Sequence, residues 1–244
     1  MARTLVLERS SHSPCAALFD GETRIFSHAW DGNPARSPGW LPELADVLAS
    51  HRVELASIAR FVCGLGPGSF SGIRATLAAI QGMALPGRTR VQGIASPAIL
   101  AWAYAGTRQD TVDQTVTVVG DARRNRYWCV TYRINPAQKR IRLYDGSMPT
   151  QTAHDFSLIP ADALETAIPS DTTIISPEEE TVFPMVEPLC ATNANRRLSA
   201  FPSPLLDTLG ALIGGPEGEL IVRDEPSPIY LHPAVATPPP FPAR

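Results

Sequence analysis

The sequence is almost without lysine: of its 21 basic residues, twenty are arginine and one is Lys139. A GxxxxGK[ST] phosphate loop needs its lysine beside the glycines, and Schiff-base or strand-lysine chemistry needs one in a pocket. One lysine at 139 leaves no room for either. Cysteine is scarce and scattered. Cys15, Cys63, Cys129 and Cys190 form no CxxC pair, which excludes zinc knuckles and dithiol redox motifs and predicts buried thiols in a reducing compartment. The histidines, at 12, 28, 51, 154 and 232, include no i, i+4 pair, so no helix face carries two metal ligands in the HxxxH manner. Long apolar runs are missing too. Only Leu5 to Leu7 precede Glu8 and Arg9 at the N-terminus, too few for a signal-peptide core, and the uncharged stretch Val91 to Thr107 is shorter than a membrane span of about 20 residues. A cytoplasmic protein is expected. Neither sign of charge dominates, with 21 basic against 24 acidic residues and a net charge of −3, so the footprint of an autonomous nucleic-acid binder is absent.

What is present is enough to fold. The 244 residues are 44% hydrophobic and 18% charged, consistent with one or two α/β units around a substantial core. Runs at 3–7, 15–19 and 23–30, separated by turns such as Asp20-Gly21, predict an antiparallel meander. Trp40 to Arg52 sets Leu41, Leu44 and Leu48 at helical spacing, with Pro42 in the first turn and Glu43 and Asp46 near the positive end of the dipole. A strand at 61–64 runs into a glycine-rich segment, after which Ser69 or Ser71 caps a second helix to about Leu85. A strand at 91–94 and a helix capped by Ser96, with Pro97 first, close this part near Gly106. Beyond a polar stretch the pattern restarts: strands at 115–119, 127–134 and 141–144, a short helix at 159–168, a strand at 172–175 and a helix at 202–213. Extended pieces follow at 221–222 and 229–231. The expected division is an N-terminal lobe over 1–106, a C-terminal lobe over 107–232 whose last segment can pack back on the first lobe, and a proline-rich tail over 233–244.

Residues 64–74 read GLGPGSFSGIR, with Gly64, Gly66, Gly68 and Gly72 around a rigid Pro67. Glycines admit positive φ and close backbone approach, and a helix N-terminus offers free amides, so an anion or another backbone can dock there. The alternative is a tight strand-to-helix turn with no ligand. GxGxxG fails because Ser69 and Ser71 stand where glycines are required, and GxSxG lacks its flanking glycines, so spacing leaves both readings open. The helix that follows sets Ile73, Leu77, Ile80 and Ala84 on an apolar stripe, while Ala75, Ala78, Ala79 and Gly82 keep the rest small. So uncharged a helix is expected to be buried nearly all round, either by its own domain or by a partner helix. Asp121, Arg123, Arg124 and Arg126 beside Tyr127 and Trp128 form the dense charge cluster. It reads as an RNA-facing patch in which aromatics stack on bases, or as a solvated turn capping two strands.

The glycine segment resembles the GxGPGSFTGLR signature of the bacterial TsaB (YeaZ-like) family, with Ser71 for the usual threonine and Ile73 for the usual leucine. Other landmarks follow in family order: Leu41-Pro42, GIAS at 93–96, Asp121-Ala122-Arg123-Arg124, and Pro228-Ile229-Tyr230-Leu231. The resemblance spans roughly 3–232 and is weak between about 135 and 220. It implies an α/β fold of two lobes, like actin, Hsp70 and the sugar kinases, each lobe a mixed sheet with flanking helices. It also implies a non-catalytic subunit in threonylcarbamoyladenosine synthesis on tRNA, which pairs with a catalytic TsaD-like paralogue, or with itself when the partner is absent. A TsaE-like ATPase belongs to such a complex, ATP or ADP can sit at the joint surface, tRNA is met only through the complex, and the isolated chain requires no cofactor. The implied pairing surface comprises Leu41, Leu44, Leu48, Ser69, Phe70, Ile73, Arg74, Ala75, Leu77, Ala78, Ala79, Gly82 and Met83. The glycine loop contributes Gly64, Gly66, Pro67, Gly68, Ser71 and Gly72.

Two departures stand out. The family's IDTS at the end of the first strand is Leu7-Glu8-Arg9-Ser10 in this chain. The longer Glu8 and the fixed cation of Arg9 weaken Glu8, Arg9 and Ser10 as a degenerate nucleotide site, and the plainer reading is a solvent-facing strand end. Arg36-Ser37 replaces a frequent His-Ser before the first helix. A stand-alone nucleotide-binding ATPase or kinase-like enzyme is the alternative by fold analogy. A peptidase is the least favoured, lacking paired metal histidines and a serine elbow.

Overall fold

The computed structural model describes residues 2–30, 39–106, 112–135, 137–138, 140–144, 156, 158–200, 209–214, 222–224 and 226–231. Arg36, Ser37, Lys139, most of the helix expected over 202–213 and the tail over 233–244 lie outside them. The chain begins with the expected meander, β1 (Arg3–Glu8), β2 (Cys15–Asp20) and β3 (Thr23–Ala29), followed by α1 (Trp40–Ser50). Then come β4 (Ile58–Gly64), α2 (Phe70–Ala84), β5 (Arg90–Ile94) and α3 (Ser96–Gly106). The pattern restarts with β6 (Gln114–Asp121), β7 (Arg126–Asn135), β8 (Arg140–Leu143), β9 (Leu158–Pro160), α4 (Leu164–Ala167) and β10 (Thr172–Ile175). It closes with α5 (Glu179–Ala191), β11 (Arg196–Leu198), α6 (Leu209–Gly214) and β12 (Val222–Arg223).

The strands form two mixed sheets, as the resemblance implies. The first runs β12-β5-β4-β1-β2-β3 and the second β11-β10-β6-β7-β8, with β9 added on β7. In the first sheet β1, β4 and β5 are parallel, while β2, β3 and β12 pair antiparallel. Runs such as Leu5-Val6-Leu7 and Phe61-Val62-Cys63 are apolar without interruption because both faces of these strands are covered. Alternate side chains go to opposite sides. Leu5, Leu7, Phe61 and Cys63 share one core with Leu44 and Leu48 of α1 and Leu77 and Ile80 of α2. Val6 and Val62 face α3, which shares its core with Val116, Val118, Trp128 and Tyr132 of the second sheet. Residues of α4 and α5 cover the far side of that sheet.

Of the two coverings expected for α2, its own chain supplies only one: α2 keeps an open face, and the helix this chain buries along its length is α3, from Ser96 to Ala105. Two expectations need correction, and one helix stands where none was expected. Ser96 is itself the first residue of α3, and its hydroxyl accepts from Gly66 N–H. The helix expected over 159–168 begins later, as a 3-10 turn at Ala161–Ala163 that runs into α4, because Leu158–Pro160 pairs with β7. Helix α5 stands where local rules speak against one, since Pro184 and Pro188 lie inside it and each removes a helical N–H.

Candidate functional site

The glycine loop is a brace between three parts of its own chain. Leu65 N–H donates to Ile94 C=O at 2.8 Å, Ser96 N–H to Gly66 C=O at 3.0 Å, and Ser69 N–H to Ser10 C=O at 2.6 Å. Gly66 (φ 84°) and Gly68 (φ 155°) occupy backbone conformations that L side chains rarely adopt. A Cβ on Gly68 would run into the Ser10 carbonyl, and one on Gly72 into the Arg9 carbonyl. The backbone that docks on this loop is therefore the Arg9–Ser10 segment. Of the two candidate caps, Ser69 serves: its hydroxyl accepts from Gly72 N–H at 3.2 Å, and Ser71 is exposed. Pro67 is buried and follows a cis peptide bond.

Glu8 is not at a solvent-facing strand end. Its side chain is buried, Oε1 accepts from Ser10 N–H at 2.6 Å, and the carboxyl occupies the space that a Cβ on Gly64 would need. Burial raises its pKa, opposed by hydrogen bonds from Ser10 and Ser96. Burial, with the Glu8 charge as a second cause, also raises the thiols of Cys15 and Cys63, the latter to about 12. None of the four cysteines is in a disulfide: Cys15, Cys63 and Cys129 are buried and Cys190 is half-buried. Arg9 turns the other way, its guanidinium 4.3 Å from the Trp40 ring centroid, so Glu8 and Arg9 do not share one site. Among the described residues no group of three or more His, Cys, Asp or Glu side chains is placed to hold a metal ion.

The second region is the surface of α1 and α2. Leu44, Leu48, Ile73 and Leu77 lie in the chain's own core, so their side chains hold these helices to the sheet rather than meeting solvent. The open side of α2 carries Phe70 (56% exposed), Arg74, Ala75, Ala78, Gly82 and, just past the helix, Leu85 (76% exposed). Ala79 and Met83 are half-buried, and Leu41 of α1 is exposed nearby in sequence to Pro42. A Cβ on Gly82 would meet nothing within 4 Å. At one end, Arg74 lies 4.5 Å over the Phe70 ring and its Nε donates to Tyr230 Oη at 3.1 Å, with the two rings 5.5 Å apart. Sequence spacing gave no reason to place Tyr230 there; the neighbouring Ile229 N–H donates to Leu65 C=O at 2.9 Å, holding this late segment against the glycine loop.

The charge cluster is the β6–β7 turn. Arg123, Arg124 and Asn125 all have positive φ, at 67°, 57° and 57°, and Arg123 N–H donates to Asp121 Oδ1 at 2.6 Å. Asp121 N–H donates to Glu178 Oε2 at 2.6 Å, tying the turn to the start of α5. Tyr127 and Trp128 are 5% and 2% exposed, so neither can stack on a base, and that part of the RNA reading falls.

No protein-family model matches the chain, and no curated protein sequence matches it significantly. Solved structures do. A structure of an uncharacterised Pseudomonas aeruginosa protein, described as similar to peptidase YeaZ, superposes with a TM-score of 0.73 at 22% identity, covering 95% of this chain and 100% of that one. A second structure, YeaZ from Pseudomonas aeruginosa, gives 0.69 at 22% identity with the same coverage. The likeness establishes a shared fold over nearly the whole chain. No helix among the described residues is long and apolar enough to cross a membrane.

Proposed function

We propose that this chain is a TsaB (YeaZ-like) subunit that serves threonylcarbamoyladenosine synthesis by pairing with a TsaD-like catalytic paralogue. The observation that carries this reading is the open face of α2. A helix whose only charge is Arg74 leaves Phe70, Ala75, Ala78 and Gly82 in solvent, and small side chains of this kind let a second helix approach closely. The glycine signature and the YeaZ-like fold supply the context. In this reading Ser69, Phe70, Arg74, Ala75, Ala78, Ala79, Gly82, Met83 and Leu41 meet the partner, whereas Leu44, Leu48, Ile73 and Leu77 hold the helices in place from below. The glycine loop fixes the start of α2 by seating it on the Arg9–Ser10 backbone. The chain itself performs no catalysis. Without its partner it pairs with itself, it meets tRNA and a TsaE-like ATPase only in the assembled complex, and any ATP or ADP sits at the joint surface. Its compartment is the cytoplasm. The stand-alone nucleotide enzyme is less favoured, because the Glu8 carboxyl is buried against Gly64, with Oε1 held by Ser10 N–H, rather than open to a ligand in solvent.

Co-purification with the host's TsaD-like protein tests the reading. Wild-type chain should form a complex on a sizing column, and Gly82→Arg should abolish it while leaving the circular dichroism spectrum unchanged. No complex between two folded chains, or a complex indifferent to Gly82→Arg, would overturn it.

A further inference from the structure

Arg74 is the one charged residue of α2, and it is held rather than free to swing. Its guanidinium lies 4.5 Å over the Phe70 ring, and its Nε donates to Tyr230 Oη at 3.1 Å. The Phe70 and Tyr230 rings are 5.5 Å apart, so the cation rests against a pair of neighbouring aromatic side chains. Tyr230 comes from a strap, residues 226–231, that follows the flank of α2. Pro226 and Ser227 line a groove of about 590 Å³ together with Gln81 in the second half of the helix, and Tyr230 reaches the helix's start. Between them Ile229 donates its N–H to Leu65 C=O and packs on the core of the first sheet, so Tyr230 is presented from an anchored backbone. All three side chains are open: Phe70 and Tyr230 are 56% and 51% exposed, and Arg74 is exposed with them. Among the described residues no carboxylate pairs with Arg74, and neither of its Nη nitrogens has a hydrogen-bond partner. The Nη end of a guanidinium takes a carboxylate in two parallel hydrogen bonds, and here that end is unused.

A partner helix laid on the small residues of α2 takes this cation out of water. A guanidinium buried without a counter-charge is strongly destabilising, and a neutral carbonyl supplies hydrogen bonds but no charge. We propose, resting on the pairing role above, that Arg74 is the specificity anchor of the α2 face, held by Phe70 and Tyr230 to receive a carboxylate side chain of the TsaD-like partner. Tyr230 is a positioning residue in this arrangement. It fixes the guanidinium before binding, so less side-chain freedom is lost when the partner arrives. A second copy of this chain is the poorer match, because its own α2 brings another Arg74 and no acid.

The test measures the affinity of this chain for the host's TsaD-like protein by isothermal titration calorimetry, with thermal unfolding to confirm that each variant folds. Arg74→Met keeps an apolar stem over Phe70 and removes the charge. It should weaken binding at least about tenfold, the loss of one bidentate ionic contact. Changing the partner's surface Asp and Glu residues one at a time to Asn and Gln should find one that weakens binding to wild type by a similar factor. The same change should cost almost nothing against Arg74→Met, the coupling expected of a direct pair. Tyr230→Ala should weaken binding about three- to tenfold, and most of that effect should vanish in the Arg74→Met background. Self-association of this chain, followed by analytical ultracentrifugation, should not weaken in Arg74→Met. An Arg74→Met chain that binds as wild type does, a partner without a coupled carboxylate, or a self-pair weakened as much as the heteropair overturns the assignment. Failure of the pairing reading looks different: no complex forms, or the complex ignores Gly82→Arg, and the anchor falls with it. A complex that responds to Gly82→Arg and not to Arg74→Met removes the anchor alone.

Discussion

Two glycines ten residues apart in α2 should respond to the same substitution with opposite sign. At Gly82 an added Cβ meets nothing within 4 Å and φ is not in the left-handed region, so alanine gains helix propensity and costs no contact. The gain is about 0.5–1 kcal/mol, since glycine is the less favourable residue in a helix interior by that amount. At Gly72 the same propensity gain is set against a Cβ driven into the Arg9 main-chain carbonyl and 3.1 Å from the capping Ser69 hydroxyl. That carbonyl cannot swing away, because the next residue is pinned by Ser69 N–H donating to Ser10 C=O at 2.6 Å. Overpacking of this kind costs about 1–3 kcal/mol, and loss of the cap about 1 more, so Gly72→Ala should be destabilised by about 1–3 kcal/mol net. Urea unfolding monitored by circular dichroism measures both. In a chain of this size each kcal/mol moves Tm by about 2–4 °C, so the variants should part by several degrees in opposite directions around wild type. If Gly72→Ala were as stable as wild type, the close seating of α2 on the Arg9–Ser10 backbone would be refuted. If Gly82→Ala lost stability, the open face would be.

Ser69→Ala should cost about 1 kcal/mol by freeing Gly72 N–H, while Ser71→Ala, on the exposed side, should stay within about 0.5 kcal/mol; thermal unfolding of the pair checks which serine caps. Glu8→Gln should change the pH dependence of stability. Burial raises the Glu8 pKa above 4.5, so the folded chain retains a proton that the unfolded chain releases, and wild type loses stability as pH rises from about 4.5 through the folded value. Glutamine keeps the Ser10 N–H bond and removes that slope, so the variant's stability relative to wild type should improve steadily over this window. Denaturation midpoints that stay parallel across it would count against a buried, proton-holding Glu8.

Much of the fold was legible because its strands and helices announce themselves locally. The meander, the strands of both halves and α1 to α3 follow from short apolar runs bounded by turns, helical spacing and a capping serine before α2, and the structure places them within a few residues. What could not be read depends on contacts between distant segments. Helices α2 and α3 are similarly poor in charge, yet one is open and the other enclosed, because α3 is caught between two sheets and α2 has only one beneath it. Composition cannot tell these cases apart. Prolines at 184 and 188 hid α5 for the opposite reason: local rules spoke against a helix that Val182 and Val186 hold on the second sheet. The strand end at Glu8 and Arg9 shows the same limit at a single position. A charged pair there suggests solvent, but Gly64 leaves a cavity sized for one carboxyl and Trp40 a face for one guanidinium. The two charges separate to opposite sides of the strand, and each finds an environment supplied by residues more than thirty positions away. Glu8 and Gly64 are thus coupled: in this structure the Glu8 carboxyl, with the Ser96 hydroxyl beside it, fills the space that a side chain at the end of β4 would take, so a Cβ at 64 requires the acid to move. Replacing Glu8 by a small residue should therefore relieve the larger part of the clash of Gly64→Ala, leaving the contact with the Ser96 hydroxyl, a coupling that single-position reasoning cannot contain.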